Sequence, residues 1–242
     1  SKMAAMGEML ENIAHQWRQP LSSISTASSG LKLKSKMQML EENEIETTLD
    51  EITHQTQYLS NTIDDFRNYF KTDKSVDTFY INETIDKTLK IVGSKFENLE
   101  IKIVKKLQEV EITSYENELI QVLINLLNNS KDEFIEREIE EKLILIDLYK
   151  EGDFVFIETK DTALGIQKVL LNRIFEPYFT TKHKTQGTGI GLHMSREIIT
   201  KHMKGDITVE NCTFNYNNQT FTGAKFTIKL PLTASLDTEY SI

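Results

Sequence analysis

Ala14-His15-Gln16-Trp17-Arg18-Gln19-Pro20-Leu21 is the stretch around which the chain is organised. Apolar residues at Met6, Leu10, Ile13, Trp17, Leu21, Ile24 and Leu31 keep roughly the three-and-four spacing of one helix face. His15 stands two residues from both Ile13 and Trp17, which projects it to the side away from that stripe. An imidazole so placed is exposed, close to neutral near pH 7 and free to act as a nucleophile. A solvated histidine without a role fits the same pattern. Pro20 adds weight to the first reading, because a proline inside a helix deletes a hydrogen bond and costs about 3 kcal/mol. It would kink or loosen the turn that holds His15.

Outward from this stretch, Ile45, Leu49, Ile52, Thr56, Leu59, Ile63, Phe66 and Phe70 alternate spacings of four and three. That is the heptad seam of a second helix, and a seam calls for a partner. The first helix supplies one through a polar connection placed around Glu41–Glu44. The hairpin still leaves apolar surface uncovered, so a homodimeric four-helix bundle is the expected completion. An antiparallel coiled-coil spacer is the alternative. His54 lies on the polar side.

Composition bounds the rest. The 242 residues suffice for one or two domains. A net charge of -9 argues against nucleic acid or an anionic membrane as partner. Cys212 is the only cysteine, which excludes an intramolecular disulfide and fits a reducing compartment. No apolar run approaches a membrane span and no signal peptide is visible. The expectation is a cytoplasmic fragment without membrane contact, cut from something longer that is itself free to be membrane-anchored.

Residues 1–72 are read as the helical hairpin, 73–77 as a linker, 78–235 as a second domain and 236–242 as a tail. In the second domain Phe79–Ile81 and Ile101–Val104 read as strands around a helix near Asn82–Phe96. Glu116 to Ile139 reads as a helix. Leu143–Tyr149 and Phe154–Thr159 form a strand pair. Thr188–Lys204 is helical past its glycines, and Ile207–Val209 and Lys225–Leu230 close the domain as strands ended by Pro231. Helices and strands mixed without regular alternation point to an α/β sandwich with a mixed sheet packed on helices.

Four constellations there carry chemistry. In Gln121–Ser130, Asn125 and Asn129 lie one turn apart on a face that Asp132 and Glu133 continue. Asparagine is a mediocre helix former, so three within five residues need a reason. A carboxamide oxygen suits Mg²⁺ that must also keep phosphate oxygens and water, although a polar helix edge would look the same. Lys160–Ile166 follows a strand; Asp161 there can accept from an amino group of a ligand, and Gly165 permits a sharp turn. Ile174–Lys182 offers aromatic anchors, Phe175 among them, beside the hydroxyl of Thr181 and the cation of Lys182, as a hinged flap or simply a packed loop. Gly187-Thr188-Gly189-Ile190-Gly191-Leu192 opens a helix, and four of the ten glycines fall between positions 165 and 191. Such a stretch presents bare backbone N–H groups to an anion. It is neither the dinucleotide fingerprint nor a Walker loop.

Taken together and in this order, the motifs resemble the histidine protein kinases of two-component signalling, over roughly Met6 to Leu232. His15 lies in a likeness of the H box, Asn125–Asn129 of the N box, and Asp161–Ile166 of the first glycine box. Phe175–Lys182 is similar to the F box and Gly187–Leu192 to the second glycine box. The resemblance implies a dimerisation and phosphoacceptor hairpin followed by a Bergerat-type ATP-binding domain. It implies ATP and Mg²⁺ as cofactors, with His15 taking the γ-phosphoryl group and passing it to an aspartate on a response-regulator receiver domain. By the same likeness Asn129 holds Mg²⁺ with Asn125 nearby, Asp161 meets the adenine amino group, and Ile166 to Gln186 form a lid over the phosphates.

The chain departs from the family pattern at two places. Gln16 stands where many relatives have an acidic residue, and an amide is no general base; it would orient the ring at most. Gln19 shares the helix face of His15, where relatives carry a polar residue that positions a dephosphorylating water, so the resemblance implies a phosphatase role. Leu164 stands where the family has glycine, and a φ above zero there would cost leucine on the order of 1 kcal/mol. Two alternatives to an autokinase therefore stay open: a degenerate nucleotide-binding module without autokinase activity, and an ATP-driven clamp.

Overall fold

A computed structural model describes residues 2–70, 75–181 and 189–232, with side chains undescribed at 2–16, 42 and 61–70. The chain divides into two compact units, a helical pair and an α/β unit.

In the helical pair, α1 (Lys2–Lys36) and α2 (Glu42–Phe70) are joined by a turn over residues 37–41. The helix runs through Pro20 without a break, and Pro20 is buried. The connection differs from the expected polar one: Met37 and Met39 lie in it, and Glu44 belongs to α2, where it pairs with Lys34 across the turn. The face of α2 also differs from the heptad reading. Among its described side chains Gln55 and Tyr58 are buried, whereas Leu49 is half exposed and Thr56 exposed. A strict seven-residue count slips against 3.6 residues per turn, so the packed stripe drifts off the predicted seam. The seam residues Ile63, Phe66 and Phe70 lie outside the described side chains.

The α/β unit follows the order β1 (Asp77–Tyr80), α3 (Ile81–Asn98), β2 (Lys102–Leu107), β3 (Glu111–Ser114), α4 (Glu116–Glu136), β4 (Leu143–Glu151), β5 (Phe154–Asp161), α5 (Gly191–Glu197), β6 (Asp206–Tyr216) and β7 (Gln219–Pro231). A π-helical turn, Ile198–His202, prolongs α5. Five strands form a sheet in the order β2-β4-β5-β7-β6, and β1 pairs antiparallel with β3 apart from it. Only β2 and β4 run parallel, and the connection between them contains α4, as a crossover requires. The other pairs are antiparallel.

Alternation decides which face is covered. Ile144, Ile146 and Leu148 of β4, Val155 and Ile157 of β5, and Phe226, Ile228 and Leu230 of β7 are buried. They share one core with Ile85 and Phe96 of α3, Leu119, Leu126 and Phe134 of α4, and Ile199 and Met203. Between them lie Asp147, Glu158 and Lys160; the ammonium of Lys160 sits 2.9 Å from Asp147 and 3.3 Å from Glu158. Helices therefore cover one face of a mixed sheet, and charge lies on the other. β3 went unread in the sequence, and β6 and β7 are far longer than Ile207–Val209 and Lys225–Leu230. Their hairpin closes on Asn217-Asn218, both at positive φ, which is the pattern of a two-residue type I′ turn.

Candidate functional site

One end of β5 and one face of α4 come together at a buried carboxylate. Asp161, the last residue of β5, is 4% exposed. Its Oδ1 accepts from the backbone N–H groups of Ala163 (3.0 Å) and Ala224 (3.1 Å), and its Oδ2 accepts from the Ser130 hydroxyl (2.9 Å). Burial pushes the Asp161 carboxyl up from its ordinary range; those three donors and the charge of Arg137 pull it back. Two carboxylate oxygens offer about four acceptor positions, so one remains on Oδ2 for a ligand N–H. A Cβ on Gly223 would overlap the Asp161 carbonyl, so β7 passes this point only as glycine. Ser130, Gly223 and Ala224 carry no local signal of this role in the sequence.

On α4, Asn125, Asn129 and Asp132 share a half-buried face, as their spacing predicts. The Asn125 amide donates to Ser195 Oγ (2.8 Å), and Ser195 Oγ donates to the Gly191 carbonyl (3.1 Å). Asn125 is thereby tied to the start of α5, against Gly191, whose missing Cβ leaves room for its carboxamide. One turn on, the Asn129 side-chain nitrogen is buried with no hydrogen-bond partner among the described residues. Lys131, absent from the sequence reading, is 8% exposed, with its ammonium 2.9 Å from Asp132 and 3.4 Å from Asn128 Oδ1.

The residues present fit a nucleotide with a divalent cation. Among the described residues no three His, Cys, Asp or Glu side chains form a ready cage. Mg²⁺ needs none, because it keeps waters and phosphate oxygens and takes one or two protein oxygens. Asn129 and Asp132 can supply those. The unpaired amide of Asn129 is a polar group left for a ligand to satisfy.

The turn after Asp161 has the shape on which Leu164 bears. Leu164 has φ 66° and Gly165 φ 75°, so leucine occupies the left-handed region, with its side chain 63% exposed. Ile166 is half-buried. Farther on, Phe175 is buried edge-on to Phe226 at 6.4 Å, under the Arg196 guanidinium at 5.4 Å. His193 Nδ1 lies 3.1 Å from the Phe175 carbonyl. The expected flap is thus pinned at Phe175, where it packs into the core. Gly189, at φ 64°, and Leu192, half-buried, stand where the chain enters α5, and Thr181 is exposed. The side chains of His15 and Gln16, and all of Lys182, Gly187 and Thr188, lie outside the described residues. Gln19 is exposed and borders a surface groove of about 580 Å³ in the helical pair with Arg18, Ser22, Ser23, Thr26, Ala27 and Glu51.

The family model for histidine kinase-, DNA gyrase B-, and HSP90-like ATPases matches residues 114–234, and that for the His Kinase A (phospho-acceptor) domain matches residues 5–75. The chain belongs to the two-component sensor histidine kinases. It is 25% identical over 97% of its length to the two-component sensor PprA of Pseudomonas aeruginosa, covering 25% of that protein. It is 30% identical over 96% of its length to the sensor histidine kinase ZraS of Salmonella typhimurium, covering 47% of it. This histidine kinase chain therefore spans less than half of these curated relatives. Among solved structures, the catalytic domain of histidine kinase ThkA is 29% identical with a TM-score of 0.54, over 66% of this chain and 97% of that one. ThkA solved in complex with the response regulator TrrA shares the fold over 96% of this chain and 63% of that one, at 24% identity and a TM-score of 0.67. The ATPase match makes the α/β unit an ATP-binding domain of this family. No helix among the described residues is long and apolar enough to cross a membrane.

Proposed function

We propose that this chain is the ATP-dependent autokinase portion of a two-component sensor, with His15 as phosphoacceptor. The observation that carries the reading is the pairing, in one chain, of a phosphoacceptor-type helical pair with an ATP-binding unit of this family. Asp161 receives the adenine amino group on its spare lone pair. Asn129, with Asp132, holds Mg²⁺, and Asn125 fixes the start of α5. By likeness to the family, Thr181, Lys182 and the amides of Gly187–Leu192 are assigned to the phosphates, and Ile166 and Phe175 to the lid. When bound, Mg²⁺ neutralises charge on the phosphate oxygens.

Transfer rests on positioning. A neutral His15 nitrogen attacks the γ-phosphorus in line; the P–N bond forms as the bond to the ADP oxygen breaks, and the imidazole proton passes to water or a phosphate oxygen. Gln16 orients the ring and takes no proton. The phosphoryl group passes next to an aspartate of a response-regulator receiver domain. The partner assignment is supported by the complex that the ThkA structure records. Gln19, exposed four residues on from His15 in α1, is assigned the water of a phosphatase reaction by likeness to the family.

A homodimer through the helical pair completes the arrangement. Leu21 and Leu49 are each 51% exposed and Leu33 is 60% exposed, a large apolar area for a single helical pair to leave in water. The work of the fragment belongs to the cytoplasm, where ATP and receiver domains are found.

The test is incubation with γ-labelled ATP and Mg²⁺, comparing the chain with His15→Ala. Label that is alkali-stable, acid-labile and absent from the variant is the expected result. Intact nucleotide binding without label would leave the degenerate module standing, and steady ATP turnover independent of His15 would favour the clamp.

A further inference from the structure

Leucine at position 164 sits in a backbone conformation that disfavours it, and the surrounding structure grips that turn from two sides. From α4, the Arg137 guanidinium donates to the carbonyls of Ala163 (2.7 Å) and Gly165 (2.8 Å), and Glu133 holds the same guanidinium at 2.9 Å. From the β6–β7 hairpin, Asn211 Oδ1 accepts from the Ile166 N–H (2.7 Å) while Asn211 Nδ2 donates to the Ile166 carbonyl (2.6 Å). The Leu164 N–H donates to the Thr222 carbonyl at 3.1 Å. A Cβ at Gly165 would lie 2.6 Å from Asn211 Oδ1, so the glycine lets the hairpin side chain approach. These bonds hold the backbone from Ala163 to Ile166 that leads directly from Asp161.

We infer that Asn211 and Arg137 are positioning residues for nucleotide binding: together they hold the Leu164–Gly165 turn in its left-handed form and so keep the Asp161 end of the site preorganised. The inference rests on the reading of Asp161 as the adenine-contacting group. A leucine released from the clamp returns to negative φ, because the left-handed form is intrinsically the minor one. The competent shape is then only a fraction of the population, and apparent affinity falls by that fraction. Glycine at 164 has no such preference. The requirement for the clamp is thus tied to the leucine, and half of it comes from the same hairpin whose Ala224 amide holds Asp161.

The experiment is calorimetric titration of the chain with Mg-ADP, using Asn211→Ala, Leu164→Gly and the double variant. Asn211→Ala is expected to weaken binding about five- to tenfold. In the Leu164→Gly background the same change is expected to cost no more than about twofold, a rescue that general damage to the hairpin would not show. Arg137→Gln carries the same cycle from the α4 side, and thermal unfolding of each variant reports that it is folded. An Asn211→Ala affinity equal to the parent's, or a loss undiminished with Gly at 164, overturns the clamp while leaving the site reading intact. Absence of Mg-ADP binding by the parent chain overturns both.

Discussion

The helical pair and the α/β unit solve the burial problem differently. In the α/β unit the large apolar side chains of sheet and helices close on one another, and Phe134, Ile144, Ile199 and Ile228 have no exposed surface. In the helical pair Pro20 and Tyr58 are the buried apolar side chains among those described, and leucines on both helices stay half exposed. One unit is complete within a single chain; the other carries an apolar surface that a second copy would cover. Stability in the first is a property of the chain; in the second, on the proposed homodimer, it would depend on concentration.

The difference can be broken most decisively at its functional end. His15→Ala is expected to abolish acid-labile labelling while Mg-ADP binding, read by calorimetry, is retained; loss of both would mean that the units are not separable in function. Phe134→Ala should destabilise the α/β unit by about 3–5 kcal/mol, seen as a lower denaturant midpoint that does not depend on protein concentration. Leu49→Asp should shift the chain toward monomer in sedimentation without moving that midpoint; an unchanged sedimentation coefficient would sink the dimer. Leu164→Gly relieves a left-handed leucine but adds unfolded-chain entropy, so a net gain under about 1 kcal/mol is expected in the same unfolding assay.

The smallest effect concerns Asp161. Burial raises its folded carboxyl, so the folded state keeps this proton to a higher pH than the unfolded chain does. Its contribution to stability is therefore present below the ordinary carboxyl range and declines as pH rises through the raised value. Asp161→Asn should flatten that part of the stability curve; an unchanged slope would show that the three hydrogen bonds cancel the effect of burial.

Local pattern made much of this legible. The asparagine spacing placed Asn125, Asn129 and Asp132 on one face of α4, and the β4–β5 pair followed from alternation flanking Glu151-Gly152-Asp153. Leu164 stood out as a departure from the family's glycine, and the structure gives it a φ of 66°. What stayed hidden is non-local. Asn211 reads as an ordinary polar strand residue, and nothing near it announces a bond to Ile166, 45 residues earlier. Ser130, Arg137 and Ala224 likewise matter through partners far along the chain. The long hairpin was readable in principle, since Asn217-Asn218 between Phe214 and Phe221 is a type I′ signal. The asparagines of that segment masked it as a loop.

The strand order has a consequence for how the protein is made. β7 is the last strand of the sheet to be synthesised, yet it lies between β5 and β6. Until it emerges from the ribosome, β5 presents an open edge and the Ala224 amide that holds Asp161 does not exist. A nascent chain halted before Gln219 carries every carboxylate and asparagine side chain of the proposed nucleotide site and still lacks the backbone N–H that holds Asp161. On that reading the site would become competent in one late event, with the arrival of β7.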